Sequence, residues 1–338
     1  MHVGIIGFGN YLPSGRLTAA DLAAATGIPE DVIALKFGVK SKPVAGPDET
    51  TAFMGLAAAR KALASAGIEG AAVDLVIWCG AQHKDYPCWL AGLYVANQLG
   101  AKHAWSFDME AMCGSMMAAL DVAKSLMLTH PELNNVLLVS GYRNNDLIDL
   151  AVPATRFMLD IGSAGSALVL KKNAGKNAVL ASAFRGDGSL SEMCIVPTLG
   201  SKAWPPAEGD LAKAHFIVPD EEAFKNKLGE VTMPNFYAVI REAVKRSDLP
   251  ADGIDYLAIL HFKRSAHDAV LAELGLRPEQ STYLDEYGHV GQNDQVLSLE
   301  LGLRDGKIKD GFRIVFVGAG LGFVWAATVI QWGPYSES

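Results

Sequence analysis

The sequence predicts an α/β fold built twice over within one chain. Short apolar runs of strand length alternate with Ala- and Leu-rich stretches of helix length along most of the 338 residues, the pattern of buried strands covered by helices. Segments of the first half also return in the second, in the same order and at nearly constant spacing, which marks a duplication.

The chain opens on a strand-like run, Val3-Gly4-Ile5-Ile6-Gly7. A helix from Ala57 to Ala66, a turn and the strand Asp74 to Cys79 come next. They return as a helix from Ala238 to Ser247, a turn and Asp255 to Leu260, aligned without a gap at an offset of 181. Cys113-Gly114-Ser115 then opens a helix to about Leu128, which leads into the strand Val136 to Val139. Its counterpart starts at His289-Val290-Gly291, ahead of a helix around Asp294 to Leu303 and the strand Ile314 to Val317, with the strands offset by 178. The polar stretch Lys171 to Asn177 is the expected seam, dividing the chain into an N-terminal half, 1–172, with Cys113, and a C-terminal half, 173–338, with His261 and His289. The segment 189–235, which contains Trp204-Pro205-Pro206, lies between the seam and the repeated elements of the second half and is expected to cover the site.

Half of the residues are hydrophobic and a fifth are charged, with a net charge of −8. That composition is globular and argues against a nucleic-acid partner, which needs a basic face. No apolar run approaches the ~20 residues of a membrane span, and no basic region precedes an apolar one at the N-terminus. A cytoplasmic protein without a membrane partner is therefore expected. Cys79, Cys88, Cys113 and Cys194 are too few and too scattered for a disulfide framework, and no pair has zinc-ligand spacing.

The duplication places Cys113 and His289 within two residues of equivalent positions, each just ahead of a helix, while His261 ends a buried strand. Strand ends and helix starts are where open α/β sheets bind ligands, so the three side chains are candidates for one pocket between the halves. A helix N-terminus favours a thiolate through its free N–H groups and its dipole, and Gly114 permits close approach of a substrate. Taken locally, Cys113 is either a nucleophile or a buried structural cysteine. His261 and His289 are each either catalytic or hydrogen-bonded structural residues. The run Val317-Gly-Ala-Gly-Leu-Gly-Phe-Val-Trp325 can aim backbone N–H groups at an oxyanion or form a tight hairpin. Met109, Met112, Met116 and Met117 around the elbow suit core packing better than an adaptable ligand pocket. Gly7-Phe-Gly9 is not a dinucleotide fingerprint, because Leu12 stands where the third glycine belongs and Pro13 follows. Gly162-Ser-Ala-Gly165 lacks the Lys-Ser/Thr of a phosphate loop.

Together these segments resemble the thiolase superfamily, and within it the 3-oxoacyl-(acyl-carrier-protein) synthase III group, also called beta-ketoacyl synthase III. The resemblance spans essentially the whole chain. It rests on Gly4 to Pro13, Phe37-Gly-Val-Lys-Ser-Lys42, the elbow at 111–115, Leu159-Asp-Ile-Gly-Ser-Ala-Gly-Ser-Ala167, Arg185-Gly-Asp-Gly188, His261 and the glycine turn at 318–322. It implies a duplicated five-layer α/β/α/β/α fold and a homodimeric acyltransferase. By the same resemblance Cys113 is the acylated nucleophile. His261 matches the histidine that assists decarboxylation and stabilises the enolate oxygen. The oxyanion hole is formed by the backbone N–H of Cys113 and one from the Gly320-Leu321 turn, at Leu321. The implied reaction is ping-pong: an acyl group passes from acyl-CoA to Cys113 and is then attacked by the carbanion of a malonyl thioester. No cofactor or metal is implied, and an acyl carrier protein is a candidate partner.

The chain departs from the family pattern in two places. His289 follows Gly288 where the family usually has asparagine. An imidazole can also donate to a thioester oxygen, as in the Cys-His-His sets of elongating ketoacyl synthases, and Asn293 could fill the role if the loop were rearranged. Phe262-Lys263-Arg264 stands where Gln-Ala-Asn is common, so Lys263 and Arg264 are candidates for phosphate contact. The first departure keeps open a non-condensing transfer from Cys113 to an alcohol, amine or thiol. A further alternative is a non-catalytic partner subunit of a ketosynthase, against which the retention of Cys113, His261 and a second imidazole argues.

Overall fold

The computed structural model describes residues 1–80 and 83–336. Its strands are β1 (Val3–Tyr11), β2 (Gly15–Thr18), β3 (Ser41–Val44), β4 (Leu75–Cys79), β5 (Trp105–Met109), β6 (Asn135–Tyr142), β7 (Ala164–Lys172), β8 (Lys176–Gly186), β9 (Tyr256–Ile259), β10 (Arg313–Gly320) and β11 (Val324–Pro334). Its α-helices are α1 (Ala19–Thr26), the single turn α2 (Glu30–Val32), α3 (Thr51–Ala66), α4 (Ala91–Gln98), α5 (Ser115–Thr129), α6 (Glu221–Arg246), α7 (Arg264–Glu273) and α8 (Asp294–Arg304).

Nine strands run in the order β5-β4-β6-β7-β1-β8-β11-β10-β9. At the middle of the row, β1 and β8 meet only at the pair Gly4–Ala178. The order on one side of that seam mirrors the order on the other. β4 pairs in parallel with both β5 and β6, and β9 pairs in parallel with β10. The remaining neighbours on each side are antiparallel. Ser281, in a parallel bridge to Leu257, stands where β5 stands in the first half. The predicted repeat is thus present in the topology: β6 and β10 begin and end at an offset of 178.

Alternation along each strand sorts side chains into layers. Leu75, Ile77 and Cys79 of β4 and Tyr256 and Ala258 of β9 point into a central layer with Met116, Leu120, Val296 and Leu299 of α5 and α8. Val76 and Trp78 face the other way, onto α3 and α4. Leu257 and Ile259 face α6 and α7. The outcome is helix, sheet, helix, sheet, helix.

Two boundaries differ from the sequence expectation. α3 starts at Thr51 rather than Ala57, because Thr50 accepts from the Phe53 N–H and caps it. α6 starts at Glu221 rather than Ala238, capped by Asp220. It continues through Pro234, whose residue type predicts a helix boundary.

Candidate active site

The site forms where the N-termini of the two central helices meet. After β5, a 3-10 turn at Met112–Gly114 leads into α5, and in the second half the turn Gly291–Asn293 leads into α8. Met112 holds a positive φ of 47° to make the bend. Ser115 steadies the bend: its hydroxyl accepts from the Ala111 N–H and donates to the Gly80 carbonyl at 3.1 Å. The end of β10 lies against the elbow so closely that a Cβ on Gly320 would sit 2.7 Å from the Cys113 nitrogen and 2.6 Å from Met112 Cβ. Glycine is required there by the approach of two backbones.

Cys113, His261, His289 and Leu321 line one cavity of about 320 Å³ together with Tyr142, Asn144 and Asp160. The sequence expectation that both histidines and the cysteine converge therefore holds in space. Most of the remaining wall is apolar and aromatic, including Phe37, Phe157, Phe216, Phe262, Phe323 and Trp325. The 189–235 segment contributes Phe216, Leu228 and Thr232 to that wall.

The two imidazoles are held differently. His289 donates its Nδ1 proton to Asp294 Oδ2 at 2.7 Å, and its ring shares the cavity wall with Cys113. With Nδ1 engaged by the carboxylate, Nε2 is the nitrogen left for the cavity. Burial alone lowers the His289 pKa, but the Asp294 carboxylate and the Cys113 sulfur outweigh it and hold the imidazole well above its ordinary value. His261 has Nδ1 2.8 Å from Asp160 Oδ2 and Nε2 3.0 Å from the Gly38 carbonyl. Both of its ring nitrogens face acceptors, so no lone pair is directed at the cavity. Asp160 and the Gly38 carbonyl hold its two nitrogens, in a side chain that is fully enclosed yet still lines the cavity.

Four polar residues around these imidazoles were not singled out in the sequence. Asp294, fully buried as the first residue of α8, accepts from the Val290 and His261 N–H groups, each at 2.7 Å, besides the His289 ring. A helix N-terminus favours such a carboxylate. Tyr142, at the end of β6, places its hydroxyl 4.0 Å from Cys113 Sγ, and burial pushes its pKa well above the ordinary phenol value. Asp160 is largely enclosed, which alone raises a carboxyl pKa, but the hydrogen bond and charge of His261 prevail and lower it. Lys42 donates to the Leu159 carbonyl at 2.7 Å, and burial lowers its pKa to about 8 against the opposing pull of Asp160.

The other candidates lie elsewhere. Asn293 is buried, with its amide nitrogen 2.9 Å from the Val290 carbonyl and 3.4 Å from that of Ala164, and does not line the cavity. Lys263 lines both the cavity and an adjoining depression, whereas Arg264 lines only the depression and pairs with Asp268 at 2.9 Å.

Comparison with known proteins resolves the family. The C-terminal model of 3-oxoacyl-(acyl-carrier-protein) synthase III matches residues 244–332, and the companion model of the same synthase matches 107–188. Together they take in just over half of the chain. The chain belongs to the 3-oxoacyl-(acyl-carrier-protein) synthase III family. It is a condensing enzyme of the acyltransferase class, and the layers described above are the thiolase-like fold. It is similar to the beta-ketoacyl-(acyl-carrier-protein) synthase III of Rhizobium rhizogenes, with 27% identity over 333 residues covering 96% of this chain and 98% of the relative. Among solved structures it superposes on the synthase III of Pseudomonas aeruginosa PAO1 with a TM-score of 0.85 and 25% identity over the whole of both chains. The priming beta-ketosynthase of the R1128 polyketide pathway shares the fold, with a TM-score of 0.86, 21% identity and coverage of 99% of this chain and 97% of that one.

Proposed function

We propose that this synthase takes an acyl group from acyl-CoA onto Cys113 and condenses it with a malonyl thioester, carried by CoA or by an acyl carrier protein, releasing carbon dioxide and a 3-oxoacyl thioester. The observation that carries this assignment is the Cys113 thiol at the start of α5, in an apolar cavity between a buried imidazole and a buried phenol. In the first half-reaction the thiolate attacks the acyl carbonyl and CoA leaves as a thiol. The Cys113 amide and that of Leu321, on the turn packed against it, are assigned to the oxyanion. In the second half-reaction the malonyl carboxylate departs and the charge that develops on the thioester oxygen needs a donor. His289 is assigned that role, and His261 is a second donor once its Nε2 proton is released from the Gly38 carbonyl.

Lys263, where the adjoining depression opens onto the cavity, is assigned to the phosphates of CoA or of a carrier-protein arm, with Arg264 beside it. The halves 1–172 and 173–338 are proposed as the duplicated units. No helix among the described residues is long and apolar enough to cross a membrane, and a cytoplasmic location is proposed with that fact in mind. A homodimer joined through the edge strand β5 is proposed from Trp105 and Leu93, each about half exposed beside that edge. The test is to supply an acyl-CoA and then malonyl-CoA or malonyl-carrier protein, and to follow carbon dioxide. Release that depends on prior acylation, with a 3-oxoacyl product, is expected. Acylated enzyme that releases none would overturn the condensation.

A further inference from the structure

We propose that Cys113, His289 and Asp294 form a nucleophile–base–carboxylate relay that also delivers the acyl group to a hydroxyl or amine acceptor. The inference rests on the acyl-Cys113 intermediate of the function proposed above and adds a second fate for it.

A decarboxylating extender makes its carbanion by losing carbon dioxide, so no proton has to be removed from the nucleophile. An alcohol or amine does carry a proton, and its attack on a thioester calls for a base with a fixed lone pair. His289 is built for that task. Its Nδ1 proton is committed to Asp294, which is fully buried and held by two backbone N–H groups. The ring is therefore fixed in one tautomer, with Nε2 left for the cavity that Cys113 also lines, the arrangement by which a carboxylate orients a general base. The other imidazole cannot substitute, since both His261 nitrogens face acceptors. The cavity also holds an unused acceptor: the Asn144 side-chain oxygen is buried in its wall without a hydrogen-bond partner, a fit for a further polar hydrogen on the incoming molecule.

In the step itself the acceptor oxygen or nitrogen bonds to the acyl carbon while its proton passes to His289 Nε2. The tetrahedral intermediate then collapses, the carbon–sulfur bond breaks and the proton moves to the departing Cys113 sulfur. The products are an ester or amide and the free thiol, with no oxidant or reductant involved. Asp294 touches no reacting atom and is a positioning residue.

The experiment loads the enzyme from a panel of straight-chain and aryl acyl-CoA esters, removes free CoA ester, and adds butan-1-ol, benzyl alcohol or benzylamine. Acyl mass on the Cys113 peptide and the ester or amide formed are both followed. The expected result is product formation with a solvent deuterium isotope effect above unity and a rate that rises with pH as His289 loses its proton. His289→Asn should slow transfer at least tenfold while Cys113 still becomes acylated. Asp294→Asn should move the midpoint of the pH profile downward, which a purely structural role would not do. Acyl-Cys113 that forms yet stays inert to every acceptor overturns the relay and leaves the condensing function standing. Transfer without an isotope effect in the wild type overturns it even if neither variant folds. Absence of any Cys113 adduct overturns both.

Discussion

Asp294, fully buried, and Asp160, largely enclosed, use their carboxylates for opposite purposes. Asp294 engages one nitrogen of its imidazole and leaves the other to the cavity, whereas Asp160 and the Gly38 carbonyl take both nitrogens of the other imidazole. Their neighbours tie folding to pH in two directions. The Asp160 carboxyl is lowered in the folded chain from its ordinary 3.8, so its stabilisation is present above that value and is lost as pH falls through the folded one. The His289 imidazole is raised from 6.5, so its stabilisation is full below that value and is lost as pH rises through the folded one. Thermal unfolding is therefore expected to give its highest midpoint between about pH 4 and 6.5. Asp160→Asn should flatten the acid limb and cost about 2 kcal/mol at neutral pH, the size of a hydrogen bond to a charged group. His289→Gln should flatten the alkaline limb. Unchanged limbs in both variants would contradict these assignments. Cys113, His261 and His289 were legible as site residues because their types are uncommon and they flank predicted strands and helices. Tyr142 and Asp160 were not, since a tyrosine ending a buried strand and an aspartate in a loop carry no local signal of what they face. Asp294 did carry one, an acidic residue five positions after a histidine at a helix start, yet it read only as the beginning of α8.

Among the elements, the contact between the end of β10 and the elbow before α5 matters most to the site. Gly318 and Gly320 let the strand approach until a Cβ at either would meet the elbow or Met117, at 2.4–2.7 Å. Gly320→Val is expected to displace Met112 and the Cys113 amide and to lower the rate of Cys113 acylation by at least tenfold, about 1.4 kcal/mol of transition-state binding. Far-ultraviolet circular dichroism should be unaltered, because the strand can remain paired to β11. Acylation at the wild-type rate would show that the elbow tolerates the shift. The sequence showed this run as either an oxyanion turn or a hairpin and could not choose, because the deciding neighbour, Cys113, is more than 200 residues away along the chain. α3 and α6 extend beyond their periodic stretches for a related reason: capping by Thr50 and Asp220 and tolerance of Pro234 depend on contacts that apolar periodicity does not encode.

At the scale of the molecule, duplication explains why the site lies where it does. Two equivalent helix N-termini, one behind Cys113 and one behind Asp294, are brought together by packing α5 and α8 into the same central layer. That layer was readable from the strands offset by 178, whose preceding helices are α5 and α8, and the outer helices from the gapless offset of 181, since such repetition is a long-range signal carried by local composition. The edge at β5 leads to the quaternary prediction. Trp105→Glu, at a residue 52% exposed, is expected to convert a dimer into a monomer in sedimentation analysis, and a wild-type monomer would refute the proposed interface. All of these assignments converge on the Cys113 sulfur. The most direct measurement is therefore the mass of the Cys113 peptide after incubation with acyl-CoA esters. One acyl group on that peptide and none on the protein carrying Cys113→Ala is expected, whereas acylation that persists in the variant, or no adduct with any donor, would contradict Cys113 as the nucleophile.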